Sequence, residues 1–367
     1  MRILALMTDA YGGYGGIAQY NRDLLRALSA SDLVHDVLVL PRLGQAAEGE
    51  CPSKIRQLRP ITSKLFYVFD TMLRTARNRR FDILFCGHIH LAPLAMLVGR
   101  IFRIPVWLQT HGIDAWDCPS ALVRASSERA TLITSVSRYT RSRILDWMNI
   151  DPFRVRVLSN TVRPVFTPGP PRADVLRRFG LSGRKVVLTV ARISKSDEYK
   201  GHARVIEAMS AVRAAQPDAL YVIVGDGDGR SDLEDLVAQG NLGPAVRFLG
   251  RLDDDDVLAL YRSSDVFVMP STKEGFGIVF VEAAASGLSV IGGNTDGSAD
   301  ALADGKIGQM IDPHSQNELI SAILAALGDG ARLSPDAVKR YSFPNFAGHV
   351  DALLQDFLRG GQGCLRS

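Results

Sequence analysis

The sequence predicts an α/β protein made of two Rossmann-like, doubly wound domains in tandem. Short apolar runs rich in β-branched residues alternate with longer segments of helical period, a pattern typical of parallel sheets with crossover helices. The chain has 367 residues, enough for about two domains. The alternation is interrupted at residues 160–171, where four prolines and a glycine exclude a helix or a central strand and indicate an interdomain linker.

Strands are expected on both sides of this interruption. The predicted runs are residues 3–7, 37–40, 83–86, 106–108, 132–135 and 155–158, then 186–190, 221–224, 246–249, 266–269 and 289–291. We therefore place the two domains at residues 1–165 and 166–340. Because ligands of such sheets bind beyond the carboxyl ends of the strands, a cleft between the domains is the expected location of the site.

The composition is typical of a folded soluble protein, with 46% hydrophobic and 22% charged residues. The first apolar run ends at Asp9 without a cleavage-site pattern, which predicts a strand rather than a signal peptide. No apolar stretch reaches the roughly 18 residues that span a bilayer. The four cysteines form no C-x-x-C pair, which disfavours a disulfide framework and a zinc site. Residues 1–171 carry 22 Lys and Arg against 13 Asp and Glu, so the first half is basic and the second acidic.

The first strand leads into a glycine-rich turn, GGYGG, before a helix expected to begin near Ile17. Backbone amides and the dipole at such a helix start favour an anion, which predicts a phosphate-binding turn. A merely tight strand-to-helix turn is the alternative. The same glycines fit a dinucleotide fingerprint, but the second strand ends in Pro41-Arg42 rather than in an acidic residue. This ending disfavours NAD and leaves NADP open.

Two cations follow the first strand of the second domain, Arg192 just past its end and Lys200 eight residues later. Arginine can contact phosphate oxygens in a bidentate manner and lysine acts as a point charge, so the pair suits a diphosphate. Solvated surface positions are the alternative for these two residues taken by themselves.

The segment at residues 270–287 combines two acidic residues with a glycine-rich helix start. Glu274 lies in the loop, and Glu282 is expected eight positions on, about two turns inside the helix. A carboxylate can accept hydrogen bonds from a pair of sugar hydroxyls, while the amides of residues 275–278 can face phosphate. This segment therefore offers diol-binding and anion-binding groups together.

Taken in order, the segments GGYGG, THGID, ARISKSDEYKG, GDGDG and EGFGIVFVE resemble the retaining GT-B glycosyltransferases of family 4 over nearly the whole chain. The resemblance implies hexosyl transfer from a nucleoside diphosphate sugar, with the acceptor held by the first domain and the nucleotide by the second. It also implies that residues 341–367 form a helix that crosses back to the first domain, followed by a tail.

The resemblance also implies roles for individual residues. Glu282 would bind the ribose and Glu274 the transferred sugar. Arg192 and Lys200 would stabilise the diphosphate leaving group. Backbone amides would assist them at Gly15, Gly16, Gly275, Phe276, Gly277 and Ile278. His111 would lie beside the anomeric carbon and the sugar hydroxyls, with a structural loop histidine as the alternative.

No metal and no cofactor beyond the donor substrate are expected, because fixed cations and amides can stabilise the growing charge of a diphosphate. Asp226 and Asp228 imitate a metal-binding D-x-D pattern, yet they directly follow a strand and look like the strand-end turn of the family. The acidic run at residues 253–256 precedes a helical segment and is expected to cap it.

Two further features of the first domain concern partners. His88 and His90 follow a strand; two histidines are too few for a zinc site, and structural roles are preferred over acceptor contacts. Residues 54–80 contain eight basic residues against one acid, interleaved with apolar ones. They predict a basic amphipathic helix suited to an anionic membrane surface, with a solvated helix face as the alternative. A nucleic-acid partner is disfavoured because its recognition motifs are missing.

The expected reaction is transfer of a hexose to a hydroxyl of a glycan or of a polyprenyl-diphosphate-linked glycan. The segment ISKSDEYKGH resembles bacterial exopolysaccharide mannosyltransferases, which makes GDP-mannose the first choice of donor, with UDP-glucose and other nucleotide sugars left open. Such an enzyme is expected in the cytoplasm, peripheral on the inner face of the membrane. Three alternatives stay open: a sugar-nucleotide epimerase, a non-catalytic membrane-associated sugar-nucleotide-binding module and, more distantly, an NADP oxidoreductase.

Overall fold

The computed structural model describes residues 1–46, 51–77 and 80–364. The chain divides into two compact units, which we call unit 1 (Met1–Thr161 with Phe343–Ser367) and unit 2 (Val162–Ser342). The boundaries expected from the sequence fall a few residues away from these. Among the described helices, none is long and apolar enough to cross a membrane.

Unit 1 contains a seven-stranded parallel sheet in the order β3-β2-β1-β4-β5-β6-β7. The reversal of strand order at β1 places crossover helices on both faces of the sheet. The elements in chain order are β1 (Arg2–Met7), α1 (Gly16–Ala30), β2 (Asp36–Pro41), β3 (Ile55–Gln57), α2 (Lys64–Arg77), β4 (Ile83–Cys86), α3 (Ala92–Phe102), β5 (Val106–Thr110), α4 (Ala121–Ser127), β6 (Leu132–Ser135), α5 (Arg138–Leu145) and β7 (Val155–Val157).

Unit 2 contains a six-stranded parallel sheet in the order β10-β9-β8-β11-β12-β13, with the reversal at β8. Its elements in chain order are α6 (Ala173–Arg178), β8 (Lys185–Val190), α7 (His202–Ala215), β9 (Ala219–Val224), α8 (Arg230–Gln239), β10 (Val246–Gly250), α9 (Asp254–Ser263), β11 (Val266–Met269), α10 (Ile278–Ala285), β12 (Ser289–Gly293), α11 (Ser298–Ala301), β13 (Gln309–Ile311) and α12 (Gln316–Asp329).

The last helix, α13 (Phe343–Cys364), belongs to unit 1 and packs against α1. The ring of Phe346 meets Tyr20 edge to face, with centroids 6.0 Å apart. The guanidinium of Arg26 lies 4.7 Å from the centroid of Phe343. These contacts attach α13 to the helix that begins at the glycine-rich turn.

Both sheets are covered on both faces, which explains why their central strands are continuous apolar runs rather than alternating ones. All six residues of β9 are buried, as are Ile3 to Met7 of β1. The strands of each sheet are parallel, so their carboxyl ends meet at one edge. The candidate site residues follow the strand ends at that edge, after β1, β4 and β5 in unit 1 and after β8 and β11 in unit 2, where Glu282 lies inside α10.

Each predicted strand overlaps an observed one, but the edge strands β3 and β13 are not predicted. Both have three residues, IRQ and QMI, which is too short for a periodic apolar signal. The predicted linker is partly wrong. Beyond Thr161 it belongs to unit 2, where Phe166 is buried and the Val162 N–H donates to the Tyr341 carbonyl at 2.8 Å. Its prolines exclude regular structure without preventing packing.

Two helix predictions also need correction. Residues 54–80 do not form one helix, because Ile55–Gln57 pairs in the sheet and α2 begins only at Lys64, beyond Pro60. Arg79, one of the eight basic residues, lies outside the described residues. Glu282 is the fifth residue of α10, about one turn inside rather than two, because that helix begins at Ile278. The predicted acidic cap of α9 is confirmed: the Asp253 side chain accepts from the Asp256 N–H.

Candidate active site

The loop that carries Arg192 follows β8 and is supported by the glycine turn after β9. A Cβ atom on Gly225 would lie 1.9 Å from the Ala191 carbonyl oxygen, and one on Gly227 would lie 2.0 Å from that of Ile193. Only glycine fits at these two positions. The GDGDG segment therefore supports the Arg192 loop through its backbone. Within the described ranges, no group of three His, Cys, Asp or Glu side chains is arranged to hold a metal ion.

Arg192 is oriented by Asp197 from the same loop. Its Nε and Nη2 atoms donate to the two Asp197 carboxylate oxygens at 2.5 and 3.1 Å. Asp197 is buried, whereas the Arg192 side chain is 68% exposed. The hydrogen bond to Asp197 raises the pKa of Arg192. The guanidinium is thus a fixed cation that remains accessible to an anionic ligand.

Lys200 and Glu274 form an ion pair that joins two separate motifs of the sequence. The Lys200 Nζ and Glu274 Oε1 atoms are 2.5 Å apart, and only 16% and 13% of the two side chains is exposed. Gly201, next to Lys200, has a φ of 81°, and a Cβ there would lie 2.7 Å from the Pro270 carbonyl oxygen. This close approach holds the loop after β8 against the loop after β11.

Asp296, which the sequence analysis does not identify, holds the Glu274 loop from behind. Its Oδ2 atom accepts from the Glu274 N–H at 2.6 Å and from the Ser271 hydroxyl at 3.1 Å. Its Oδ1 atom accepts from the Ser298 N–H at 2.9 Å. Burial raises the pKa of Asp296 to about 6. The position of Glu274 therefore depends on a buried carboxyl group from the loop after β12.

The start of α10 exposes backbone rather than side chains. Gly277 is the N-cap with a φ of 80°, and no side chain in the described part of the chain caps this helix. A Cβ on Gly297 would lie 2.1 Å from the Gly275 carbonyl oxygen, so the turn is also packed from one side. Phe276 is buried and Ile278 begins the helix. Amides in this arrangement can contact a phosphate directly.

Glu282 lies in a second charged cluster of unit 2. Its Oε1 atom is 3.7 Å from the Arg163 Nη2 atom, and its Oε2 atom accepts from the Tyr261 hydroxyl at 3.5 Å. Arg163 also pairs with Asp254. Sequence analysis missed Arg163 because it lies in the segment interpreted as a linker, where no periodic pattern surrounds it.

In unit 1, the predicted phosphate-binding turn forms the start of α1. Gly15 is the N-cap with a φ of 91°, and a Cβ on Gly15 or Gly16 would meet nothing within 4 Å. Backbone conformation rather than crowding therefore requires glycine at position 15. Arg22 holds the turn by donating to the carbonyls of Ala10 and Gly13 at 3.0 and 2.8 Å.

His111 follows β5, and its ring has a defined tautomer. The Nε2 atom lies 2.9 Å from the Gly87 carbonyl oxygen. Because a carbonyl only accepts, Nε2 must carry the proton and Nδ1 is left as an acceptor. Tyr20 of α1 packs edge to face against the ring, with centroids 5.2 Å apart. Burial lowers the pKa of His111 to about 4, so this side chain offers a neutral acceptor to a hydroxyl group.

His88 and Asp114 lie beside His111. Asp114 Oδ1 accepts from the His111 N–H at 3.2 Å, and burial raises the pKa of Asp114 to about 7. The Asp114 Oδ2 and His88 Nε2 atoms are 4.0 Å apart, and burial lowers the pKa of His88 to about 4. His88 Nδ1 accepts from the His90 N–H at 3.3 Å and so caps a short 3-10 helix. This contact gives His88 a structural role.

The chain matches known proteins over most of its length. Two protein-family models match it, Glycosyltransferase Family 4 at residues 14–166 and Glycosyl transferases group 1 at residues 175–341. A GDP-mannose-dependent monoacylated alpha-(1-6)-phosphatidylinositol monomannoside mannosyltransferase of Corynebacterium glutamicum is 28% identical, over 92% of this chain and 93% of its own length. A D-inositol 3-phosphate glycosyltransferase of Stackebrandtia nassauensis is 30% identical, over 75% of this chain and 67% of its own length.

The fold also matches solved structures. Anabaena HepE in complex with UDP-glucose superimposes with a TM-score of 0.78 at 19% identity, covering 97% of this chain and all of HepE. Two parallel α/β units with polar groups at the strand ends, together with this likeness, define the GT-B fold. The chain belongs to glycosyltransferase family 4 and is a hexosyltransferase. The predicted family, fold and enzyme class are confirmed, while the roles of individual residues stay predictions.

Proposed function

We propose that this chain transfers mannose from GDP-mannose to a glycan hydroxyl with retention of configuration. The observation that carries the proposal is the largely buried Lys200–Glu274 ion pair beside the start of α10. It joins a cation for the diphosphate to a carboxylate that can accept hydrogen bonds from sugar hydroxyls. The choice of mannose is supported by the relative from C. glutamicum, which is named as GDP-mannose-dependent.

The unit 2 site suits departure of a nucleoside diphosphate. As the bond between the anomeric carbon and the phosphate oxygen breaks, negative charge grows on the diphosphate. Arg192 is held in place by Asp197 and remains accessible, and Lys200 adds a second fixed cation. Amides at Gly275, Phe276, Gly277 and Ile278 complete the anion site. Such preorganised groups lower the barrier because they need no rearrangement as charge develops.

Retention is proposed to arise by attack of the acceptor on the face that the diphosphate leaves. The acceptor oxygen bonds to the anomeric carbon, and its proton passes to the departing phosphate oxygen. His111, neutral and with Nδ1 as an acceptor, would orient a hydroxyl of the transferred sugar. Asp114 is unsuited as a covalent nucleophile, because both of its oxygens accept from the His111 backbone N–H.

The first experiment is a metal-free thermal-shift panel with GDP, UDP, ADP and NADP on wild type and Arg192→Ala. Ligand at about a hundred times its Kd adds about 2.7 kcal/mol of stability, a readily measured shift. A shift confined to GDP and lost in Arg192→Ala supports the proposal. Arg213→Ala, which removes an arginine at the opposite end of α7 that bonds the Pro217 carbonyl, is the matched control. A shift with NADP alone, kept in Arg192→Ala, would overturn the proposal.

Product analysis then separates the catalytic alternatives. GDP-mannose is incubated with a glycan acceptor, and NMR of the product reports the anomeric configuration. An α-linked mannose from the α-linked donor supports retention. Conversion of the donor sugar without any acceptor would indicate an epimerase, and binding without turnover of any glycan or lipid-linked glycan would indicate a non-catalytic module.

We further propose that α2 brings unit 1 to an anionic membrane surface, where a lipid-linked acceptor would be found. The side of α2 turned to the protein is partly polar, since Asp70 and Thr71 are buried there. Large apolar side chains instead face outward, with Leu65, Phe66 and Phe69 respectively 86%, 57% and 61% exposed. Aromatic side chains beside basic ones are typical of interfacial helices.

A cavity next to α2 adds a basic site to this surface. It has a volume of about 300 Å³ and is lined by Leu38, Arg56, Asp70, Leu73, Arg74 and Arg77. Three arginines against one carboxylate favour an anionic headgroup, although Asp70 pairs with Arg74 at 2.6 Å. The exposed aromatics and the arginines therefore support the same partner, a bilayer with anionic lipids.

Co-sedimentation with vesicles tests this contact. We expect binding to vesicles that contain phosphatidylglycerol, weaker binding to phosphatidylcholine alone, and loss of binding in Phe66→Ser/Phe69→Ser. Phe153→Ser is the matched control, because Phe153 is 86% exposed elsewhere on unit 1. Equal loss in both variants would contradict the assignment of α2.

A further inference from the structure

Arg163 of unit 2 links two acidic groups, Asp254 and Glu282. The Arg163 Nη2 atom is 3.0 Å from Asp254 Oδ1, and Nη1 bonds the other oxygen of the same carboxylate. The same Nη2 atom is 3.7 Å from Glu282 Oε1. The side chain is only 23% exposed, so these charges interact with little screening by water.

The guanidinium of Arg163 is held by more than the ion pairs. It lies 4.8 Å from the ring centroid of Phe166, and Phe166 packs against Tyr261 with centroids 5.8 Å apart. The hydroxyl of Tyr261 in turn donates to Glu282 Oε2 at 3.5 Å. Each oxygen of the Glu282 carboxylate thus has its own fixed neighbour, and the orientation of the carboxylate is defined from two sides.

We infer that Arg163 is a positioning residue for nucleotide binding, which it supports by orienting Glu282 toward the ribose hydroxyl pair. The inference rests on the proposed function, in which Glu282 binds the ribose of a nucleoside diphosphate. Two adjacent hydroxyls can donate to one carboxylate only if it stays ionised and faces them with both oxygens. An arginine beside a nearly buried carboxylate favours that ionised form.

A structural alternative predicts a different result. If Arg163 only fastened residues 162–171 to α9 through Asp254, its removal would weaken binding of every nucleotide equally. Arg262 provides the comparison, because it also fastens this segment: its Nε donates to the Thr167 carbonyl at 2.8 Å. Glu282 is paired instead with Arg163 and Tyr261. A nucleotide that lacks the hydroxyl pair can therefore distinguish the effect of removing Arg163 from the effect of removing Arg262.

The experiment is calorimetric titration with GDP and with 2′,3′-dideoxy-GDP, which has the same base and diphosphate but no diol. We expect wild type to bind GDP about tenfold more tightly, equal to about 1.4 kcal/mol at 25 °C. In Arg163→Ala this ratio should fall to about one, as in Glu282→Gln, because the diol contact is lost. Arg163→Lys should keep part of the ratio, and Arg262→Ala should keep all of it.

The outcomes distinguish this inference from the proposal beneath it. An undiminished preference for GDP in Arg163→Ala would overturn the positioning role while leaving the proposed function intact. An equal loss of affinity for both ligands in Arg163→Ala, as from a purely structural change, would overturn it too. Failure of the wild-type protein to bind either ligand would overturn the proposed function and this inference together.

Discussion

The two units prepare their polar groups in opposite ways. Unit 2 pairs basic side chains with acidic ones, such as Arg192 with Asp197 and Lys200 with Glu274. Unit 1 instead surrounds His111, His88 and Asp114 with protein until their neutral forms are favoured. An ionic ligand needs fixed charge, whereas a hydroxyl group needs a directional donor or acceptor. The difference matches a diphosphate partner for unit 2 and a hydroxyl partner for unit 1.

Burial acts differently on the charged pairs of unit 2 and on His111, His88 and Asp114 of unit 1, because only the former have an oppositely charged neighbour in close contact. Removing the cation that lies 2.5 Å from the largely buried Glu274 carboxylate leaves an uncompensated charge. A buried histidine without such a partner loses its proton, and a buried carboxyl group keeps one. The paired residues of unit 2 should therefore be sensitive to loss of a single charge, and Asp114 of unit 1 to a change of pH near 7.

The largest expected effect is on turnover in Lys200→Ala. Removal of this cation takes away stabilisation of the leaving diphosphate and leaves Glu274 without its partner at 2.5 Å. We expect kcat to fall by about 10²–10³, the range seen when one electrostatic contact to a transition state is removed. Arg213→Ala serves as the control for loss of a positive charge. If turnover in Lys200→Ala stayed within threefold of wild type, roughly 0.6 kcal/mol, fixed charge in unit 2 would not be what stabilises the leaving diphosphate.

A smaller loss of turnover is expected for His111→Ala than for Lys200→Ala. The variant loses one acceptor for a sugar hydroxyl, so turnover should fall by about tenfold to a hundredfold, the equivalent of about 1.4–2.8 kcal/mol. His111→Gln, which can still accept a hydrogen bond, should recover part of the activity. Since burial lowers the pKa of His111 to about 4, turnover should not change with protonation of this residue between pH 6 and 8. Full turnover in His111→Ala would refute the role of this histidine.

Asp114→Asn tests whether burial favours the neutral form of the Asp114 carboxyl group, and the measured quantity is the stability of the fold. The folded pKa of Asp114, about 7, is above its ordinary value of 3.8, so this group stabilises the fold below pH 3.8 and loses that contribution as pH rises through 7. Asparagine resembles the protonated acid and does not titrate. From pH 5 to pH 8 the variant should gain at least about 1.4 kcal/mol relative to wild type, equal to one pKa unit. Denaturant unfolding at both pH values measures the free energy of unfolding of the two proteins. The same difference in stability between them at pH 5 and pH 8 would contradict the raised pKa of Asp114.

The unit 2 site could be predicted better than the unit 1 site. Arg192, Lys200, Glu274 and Glu282 each lie in a short segment whose residue types already suggest a diphosphate and a diol. Asp296 could not be found in this way, because it acts through contacts with residues 22 and 25 positions earlier in the chain. Long-range contacts of this kind leave no local pattern.

The fold likewise contains elements that a local sequence pattern predicts and elements that depend on long-range contacts. Strands buried on both faces were predictable because burial selects continuous apolar runs, whereas the three-residue edge strands β3 and β13 depend on a neighbouring strand for their conformation. The state of His111 could not be derived from sequence either. Its tautomer depends on the Gly87 carbonyl, and its pKa on burial that only the folded chain provides.

The smallest expected effect is a loss of stability in Asp253→Ala. This variant tests whether an acidic residue of unit 2 supports the fold or binds substrate. Asp253 caps α9 by accepting from the Asp256 N–H at 2.9 Å. Asp253→Ala should cost about 1 kcal/mol of stability, or about 2–4 °C in Tm, with turnover unchanged. Asp253→Asn keeps the cap without the charge and should match wild type. A loss of turnover in both variants at unchanged Tm would instead place this carboxylate in the donor site and extend the charged cluster of unit 2 beyond Asp254.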